Sequence, residues 1–186
     1  MTNVEALVKR IRTLLAVFVF GLVISGLTAI PLETELRLLA RSMEIHSDGT
    51  SEDSLGLRAW VYRVEEGLIA TNKKYPFLAY GTDWLAFAHI VIAVAFIGPW
   101  RDPVRNVWVV EFGMIACGLV VLFALGMGPI RGIPVGWTLI DCSFGVFGVI
   151  PLSVCRRYIN QLACLAAAEG TKTREIGRTG GDSSEP

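Results

Sequence analysis

Four stretches of this chain, residues 13–31, 84–100, 107–130 and 133–155, are each apolar over nearly the length needed to cross a lipid bilayer. The hydrocarbon layer is about 30 Å thick and a helix rises about 1.5 Å per residue, so one crossing takes about 20 mostly apolar residues. A backbone in lipid has no water to bond with, and runs of this kind satisfy their amides internally as helices. The expected fold class is therefore all-α, a polytopic membrane protein built as a four-transmembrane-helix bundle. Composition agrees: 53% of residues are hydrophobic, 18% are charged and the mean hydropathy is +0.53. That balance is too apolar for an ordinary soluble domain. The second run is the shortest and draws on Thr82 and Asp83 at one end and on Pro99 and Trp100 at the other.

Charge sets the orientation, because Lys and Arg collect on the cytoplasmic side of membrane helices. Lys9, Arg10 and Arg12 precede the first run, Arg101 and Arg105 separate the second from the third, and Arg156 and Arg157 follow the fourth. Four crossings bring all three groups to one side. This predicts an integral protein of a bacterial inner membrane with both termini cytoplasmic. The opposite side carries Arg131 in a short turn and the 32–82 segment, whose six basic and eight acidic residues give no contrary signal. Basic residues before an apolar core also mark signal peptides. Here the core is longer than usual and Leu27-Thr28-Ala29 is a poor cleavage site, so the first run is read as a retained helix.

Residues 1–169 are expected to form one membrane domain. Residues 170–186 are rich in Gly, Ser and charge without apolar periodicity, which predicts a disordered cytoplasmic tail. Between them, a short helix over 156–169 would lay Ile159, Leu162 and Ala163 or Ala166 on the inner membrane surface. The 32–82 segment reads as two amphipathic external helices. In the first, Leu32, Leu36, Leu39 and Met43 form an apolar stripe starting after Pro31, opposite Glu33, Arg37, Arg41 and Glu44. His46-Ser47-Asp48-Gly49 ends it as a turn. The second opens on Thr50-Ser51-Glu52-Asp53, similar to a capping box, and carries Leu57, Val61, Val64 and Leu68, flanked by Trp60 and Tyr62 and stopped at Lys73-Lys74-Tyr75-Pro76. Two placements stay open for this pair: flat on the outer leaflet, or folded over the bundle mouth as a lid.

Two ionisable residues lie inside the apolar runs, His89 and Asp141. Such groups cost at least about 2–3 kcal/mol each in hydrocarbon and are candidate functional sites by default. Helical spacing puts Thr138, Asp141, Gly145, Gly148 and Leu152 on one face of the fourth run, and Thr82, Ala86, His89, Ala93 and Phe96 on one face of the second. Small residues on both faces mark helix packing rather than lipid contact. The first run offers Gly21, Ser25 and Thr28 in the same way. Counting from the external ends places both ionisable groups about 10–12 Å deep. A polar layer in the outer half of the bundle follows, made of Ser25, Thr28, His89, Thr138 and Asp141, with Asp83, Arg131 and Trp137 nearer the mouth.

Three readings of this layer compete: a His89 to Asp141 hydrogen bond that fixes helix register, a pocket for the head of an amphiphile such as a lipid or a quinone, or proton transfer at the pair. One intramembrane His and one Asp are too few to hold a metal, and two His pairs would be needed to hold two haems. No cofactor is assigned. Glu111, about one turn inside the third run, is read as a salt bridge or snorkelling group near Arg101 and Arg105, with Asn106 capping that helix. Gly98 to Pro103 is read as a tight turn, and Arg101 within it and Arg105 just after it also suit anionic lipid headgroups. Cys117, Cys142, Cys155 and Cys164 form no Cys-x-x-Cys pair, which argues against thiol oxidoreductase chemistry. They read as small apolar side chains.

No Gly-rich phosphate loop, His-Glu-x-x-His or Gly-x-Ser-x-Gly motif is present. The chain has no global charge, with 17 basic and 17 acidic side chains, so nothing attracts nucleic acid. The expected partners are membrane lipids, a lipid or quinone-like ligand, and a second copy or larger membrane complex. The expected function is non-enzymatic binding through the outer polar layer. The alternatives are an accessory subunit of a larger complex and a small enzyme or proton-coupled carrier using His89 and Asp141.

Overall fold

In the computed structural model, which describes residues 3–30, 32–45 and 56–180, every extended element is a helix. These are α1 (Asn3–Thr28), α2 (Leu32–Ile45), α3 (Leu57–Lys74), α4 (Tyr80–Ala95), α5 (Ile97–Arg101), α6 (Val107–Ile130) and α7 (Val135–Gly180). A 3₁₀ turn, Pro76–Ala79, leads into α4. Four stretches are long and apolar enough to span a membrane: Asn3–Thr28, Pro76–Arg101, Val107–Ile130 and Val135–Ala168. Their number and order match the four apolar runs. They are consistent with an integral membrane protein. The Pro31 helix start, the 46–49 turn, the capping sequence at 50–53 and the tail beyond Gly180 lie outside the described residues, as does the side chain of Met43.

Proline decides where the second span bends. Pro99 has no N–H to give the carbonyl four residues back, at Ala95, and its ring crowds that carbonyl. The helix accordingly ends at Ala95, Phe96 N–H turns back to the Ala93 carbonyl at 3.1 Å, and α5 carries on for a few residues. Pro99 thus ends α4 four residues upstream while itself sitting inside a short helix, and the stop of α5 comes at Asp102, whose backbone is extended. Asp102 Oδ1 then accepts the Arg105 amide at 3.0 Å. The Asn106 side chain does not cap α6. It donates to the carbonyls of Gly98 and Asp102 at 3.2 and 3.0 Å, closing the α5–α6 turn.

The turn joining α6 to α7 closes as a Schellman motif, in which a left-handed glycine lets two amides reach back into the helix. Gly132 has φ +67°, its N–H bonds the Pro129 carbonyl at 3.2 Å, and Ile133 N–H reaches Gly128 at 2.9 Å. The two helices then run side by side at close range. α7 packs on α6 and on α1, and α1 packs on α4; α4 and α7 make no comparable contact.

The large buried side chains cluster toward one end of these helices. Ile11, Leu15, Phe96, Val109, Val110, Leu152, Cys155, Ile159 and Leu162 form the main core, supported by Phe18 and Tyr158. Ile159 and Leu162 therefore correct the expectation of a separate surface helix. Their stripe continues α7 without a break and is covered by the N-terminal turns of α1. The helical backbone also continues to Gly180, past the boundary at residue 170 where composition predicts order to end. Toward the other end, burial falls mainly on small residues: Gly26, Ala86, Ala124, Gly128, Gly136, Thr138, Cys142 and Gly145. There the helices touch backbone to backbone, with little side-chain filling between them.

α2 and α3 pair with each other. Leu36, Ala40 and Val61 are buried between them, with Leu32, Tyr62, Val64, Leu68 and Trp137 packed around. Asn72 Nδ2 donates to Glu33 Oε2 at 3.2 Å, so the end of α3 meets the start of α2 and the pair is antiparallel. Glu33 also pairs with Arg37 at 2.8 Å. The apolar stripe of α2 is rotated from the expected one: Ala40 is buried while Leu39 is exposed. Trp137, at the start of α7, is the side chain on which the pair rests.

Candidate functional site

A common reference level comes from Phe18. Its ring lies 3.5 Å from where a Cβ on Gly148 of α7 would stand, and it packs on the Phe96 ring with centroids 4.9 Å apart. Eight residues farther along α1 is Gly26, and seven residues back along antiparallel α7 is Asp141. At about 1.5 Å per residue these are rises of about 12 and 10 Å from the same level. His89 meets Gly26 directly, since a Cβ there would stand 2.6 Å from His89 Cβ and 3.2 Å from the Ala86 carbonyl. His89 and Asp141 thus sit at one level, in the small-residue half of the helices. They do not share an interface. His89 faces α1, which packs between α4 and α7.

No His89 to Asp141 hydrogen bond forms. His89 Nδ1 lies 2.7 Å from the Leu85 carbonyl of its own helix. A carbonyl only accepts, so Nδ1 donates to it, and in the neutral ring this tautomer leaves the lone pair on Nε2. Asp141 is half-buried, one position off the line of α7 residues that face α6, and no side chain or amide among the described residues bonds its carboxylate. The level therefore presents two acceptors without donors.

Of the other expected members of the polar layer, Thr28 and Thr138 are internally satisfied and Trp137, Asp83 and Arg131 lie elsewhere, while the Ser25 hydroxyl, half-buried on α1, has no bond among the described residues. Thr28 donates its hydroxyl to the Ser25 carbonyl at 3.0 Å. Thr138 is buried against Gly128 of α6 and donates to the Pro134 carbonyl at 3.3 Å. Trp137 is taken up by the α2–α3 pair, and Asp83 and Arg131 are exposed. On α1 the close approach is made by Gly26, whereas Gly21 has open space around it. The signal for Gly26 was Ala86 and His89 on the facing helix, which call for a partner without a side chain.

Glu111 pairs with an arginine 45 residues away. Arg156 Nε donates to Glu111 Oε1 at 2.8 Å, and Arg156 Nη1 donates to Asn160. Arg101 and Arg105, its neighbours in sequence, are exposed and do not take part. Both partners of the bridge are part-exposed, so its worth is closer to the ~1 kcal/mol of surface pairs than to the ~3–5 kcal/mol lost on breaking a buried one. Glu111→Gln and Arg156→Gln should each lower thermal stability by about 1 kcal/mol, and the double variant by no more than either alone. Additive losses in that cycle would separate the two residues.

No protein-family model, curated protein or solved structure matches the chain.

Proposed function

We propose that this chain is a non-enzymatic four-helix membrane protein whose outer half binds the head of an amphiphile, with α2 and α3 as amphipathic helices over that mouth. The observation that carries the reading is Asp141, a half-buried carboxylate inside an apolar span with no hydrogen-bond or ion-pair partner among the described residues. A charge in that position is costly, and a donor from outside the chain offsets the cost. His89 Nε2 at the same level adds a second acceptor in the neutral ring, where Nδ1 donates to the Leu85 carbonyl. A headgroup that fits has hydrogen-bond donors, a hydroxyl or a protonated amine, and an apolar tail that lies along the small-residue surfaces. The seven Lys and Arg at the opposite end, Lys9, Arg10, Arg12, Arg101, Arg105, Arg156 and Arg157, support a cytoplasmic assignment for that end and an external one for the Asp141 end.

Native mass spectrometry of the full chain in mild detergent tests this. The wild type should carry a small amphiphile into the gas phase. Asp141→Asn should lose it while melting as the wild type does, because a hydrogen bond to a charged group is worth about 1.5–3 kcal/mol, about 10- to 150-fold in affinity. A bare wild-type monomer would sink the binding reading. A retained protein in place of a small molecule would replace it with an accessory-subunit role.

A further inference from the structure

A groove of about 560 Å³ runs along the first half of α1 and is closed on one side by Trp100 of α5. Its lining changes character along the helix. Glu5, Lys9, Arg12 and Thr13 supply polar groups, and Val4, Val8, Ala16 and Val17 supply apolar wall. Arg12 Nε donates to the Trp100 carbonyl at 3.3 Å. That carbonyl belongs to the last turn of α5, which has no amide left to bond it. The bond holds the guanidinium at the groove and leaves both Nη groups free. Lys9, three residues earlier and so on the same helix face, has an ammonium with no acceptor among the described residues. Thr13 is turned inward to the Lys9 carbonyl at 3.0 Å and does not compete for these cations.

We infer that this groove seats one anionic phospholipid, its phosphate between Lys9 and Arg12 and an acyl chain along Ala16, Val17 and the open flank at Gly21. This second site is independent of the Asp141 level and rests only on the chain spanning a membrane. Three features of the groove choose the occupant. Two free cations one turn apart match a phosphate, and a planar guanidinium matches it in two bonds. Trp100 stands beside them, an aromatic whose ring suits the headgroup layer. From Thr13 to Thr28 α1 carries no charged residue, so an acyl chain meets only apolar or small side chains on its way to the bilayer centre. Val17 and Phe20 are exposed and Gly21 has nothing within 4 Å of an added Cβ, which leaves the path clear. A soluble phosphate would use the cations but not this wall.

The test compares phosphatidylglycerol with phosphatidylcholine of the same acyl chains, titrated into the delipidated full chain in mild detergent and counted by native mass spectrometry. The wild type should retain one phosphatidylglycerol in clear preference. With about 1 kcal/mol from each cation near a lipid headgroup, Lys9→Gln with Arg12→Gln should lower that preference about thirtyfold. Arg12→Lys keeps the charge without the fork and should retain part of it, and Arg157→Gln, outside the groove, should retain all of it. Inorganic phosphate alone should not displace the lipid. Equal retention of the two lipids by the wild type would overturn the site, as would a preference unchanged in the double variant or lost equally in Arg157→Gln. Displacement by inorganic phosphate would mean an anion site rather than a lipid site. Failure of the membrane reading itself would appear earlier, as protein released from membranes by alkaline carbonate without detergent.

Discussion

Gly145→Leu will separate α6 from α7 and leave a chain that melts far below the wild type in mild detergent. An added Cβ at Gly145 would collide with the Cys117 carbonyl oxygen and stand 2.8 Å from Val121 Cγ2. The first obstacle is backbone, so no rotamer change relieves it; the two helices must move apart. That motion also opens the contacts of Thr138 with Gly128, of Gly148 with Cys117 Sγ and of Leu152 with Gly113, further points where these helices meet at close range. Overpacking a well-fitted core costs about 1–3 kcal/mol, and a backbone collision belongs at or above the top of that range. The better helix propensity of Leu returns less than about 1 kcal/mol. Gly118→Leu is the control, because nothing lies within 4 Å of its Cβ position, and it should melt at or above the wild type. A wild-type melting profile for Gly145→Leu would mean that α6 and α7 do not pack through this glycine.

The spans and the packing faces of two helices were legible because both are one-dimensional properties of the sequence. Apolar length located the four runs, and period 3.6 put Ala86, Ala93 and Phe96 on one face of α4 and Thr138, Gly145 and Leu152 on one face of α7; all six are buried. On α1 the same method chose Gly21, while the close approach belongs to Gly26. Small residues occur on several sides of that helix, and only the facing Ala86 and His89 distinguish among them. Neighbour order was not legible at all. Periodicity says which face is buried but not which helix covers it, so the sequence allowed His89 to meet Asp141, whereas α1 packs between their helices. The same gap assigned Glu111 to the arginines nearest in sequence, when the end of α7 brings Arg156 to it. The break at Ala95 follows from Pro99 once the missing bond is counted back four residues. Reading the stop at the proline itself placed the end of α4 about one turn too late.

Phe96→Ala should be the most damaging truncation of a single apolar side chain. Phe96 is 1% exposed, packs on Phe18, and its Cζ lies 2.9 Å from where a Cβ on Gly113 would stand. It is thus the side chain through which the α4 end of the molecule reaches both α1 and α6. In water-soluble cores Phe→Ala costs about 3–5 kcal/mol, part transfer of the ring and part cavity. Lipid tails are as apolar as the core, so the transfer part largely disappears and the lost packing remains. The expected loss is about 2 kcal/mol, read as a lower melting point in detergent. A coupling measurement separates packing from a nonspecific defect. Gly113→Ala alone should destabilise, because its methyl meets both the Phe96 ring and Leu152 Cδ1, the latter at 2.8 Å. In the Phe96→Ala background the same methyl enters the vacated space, and only the flexible end of Leu152 has to yield. The double variant should therefore be more stable than the sum of the two single losses predicts. Strict additivity would show that the ring and the glycine do not meet, and with that the joining of α4 to α6 through Phe96 would have to be abandoned.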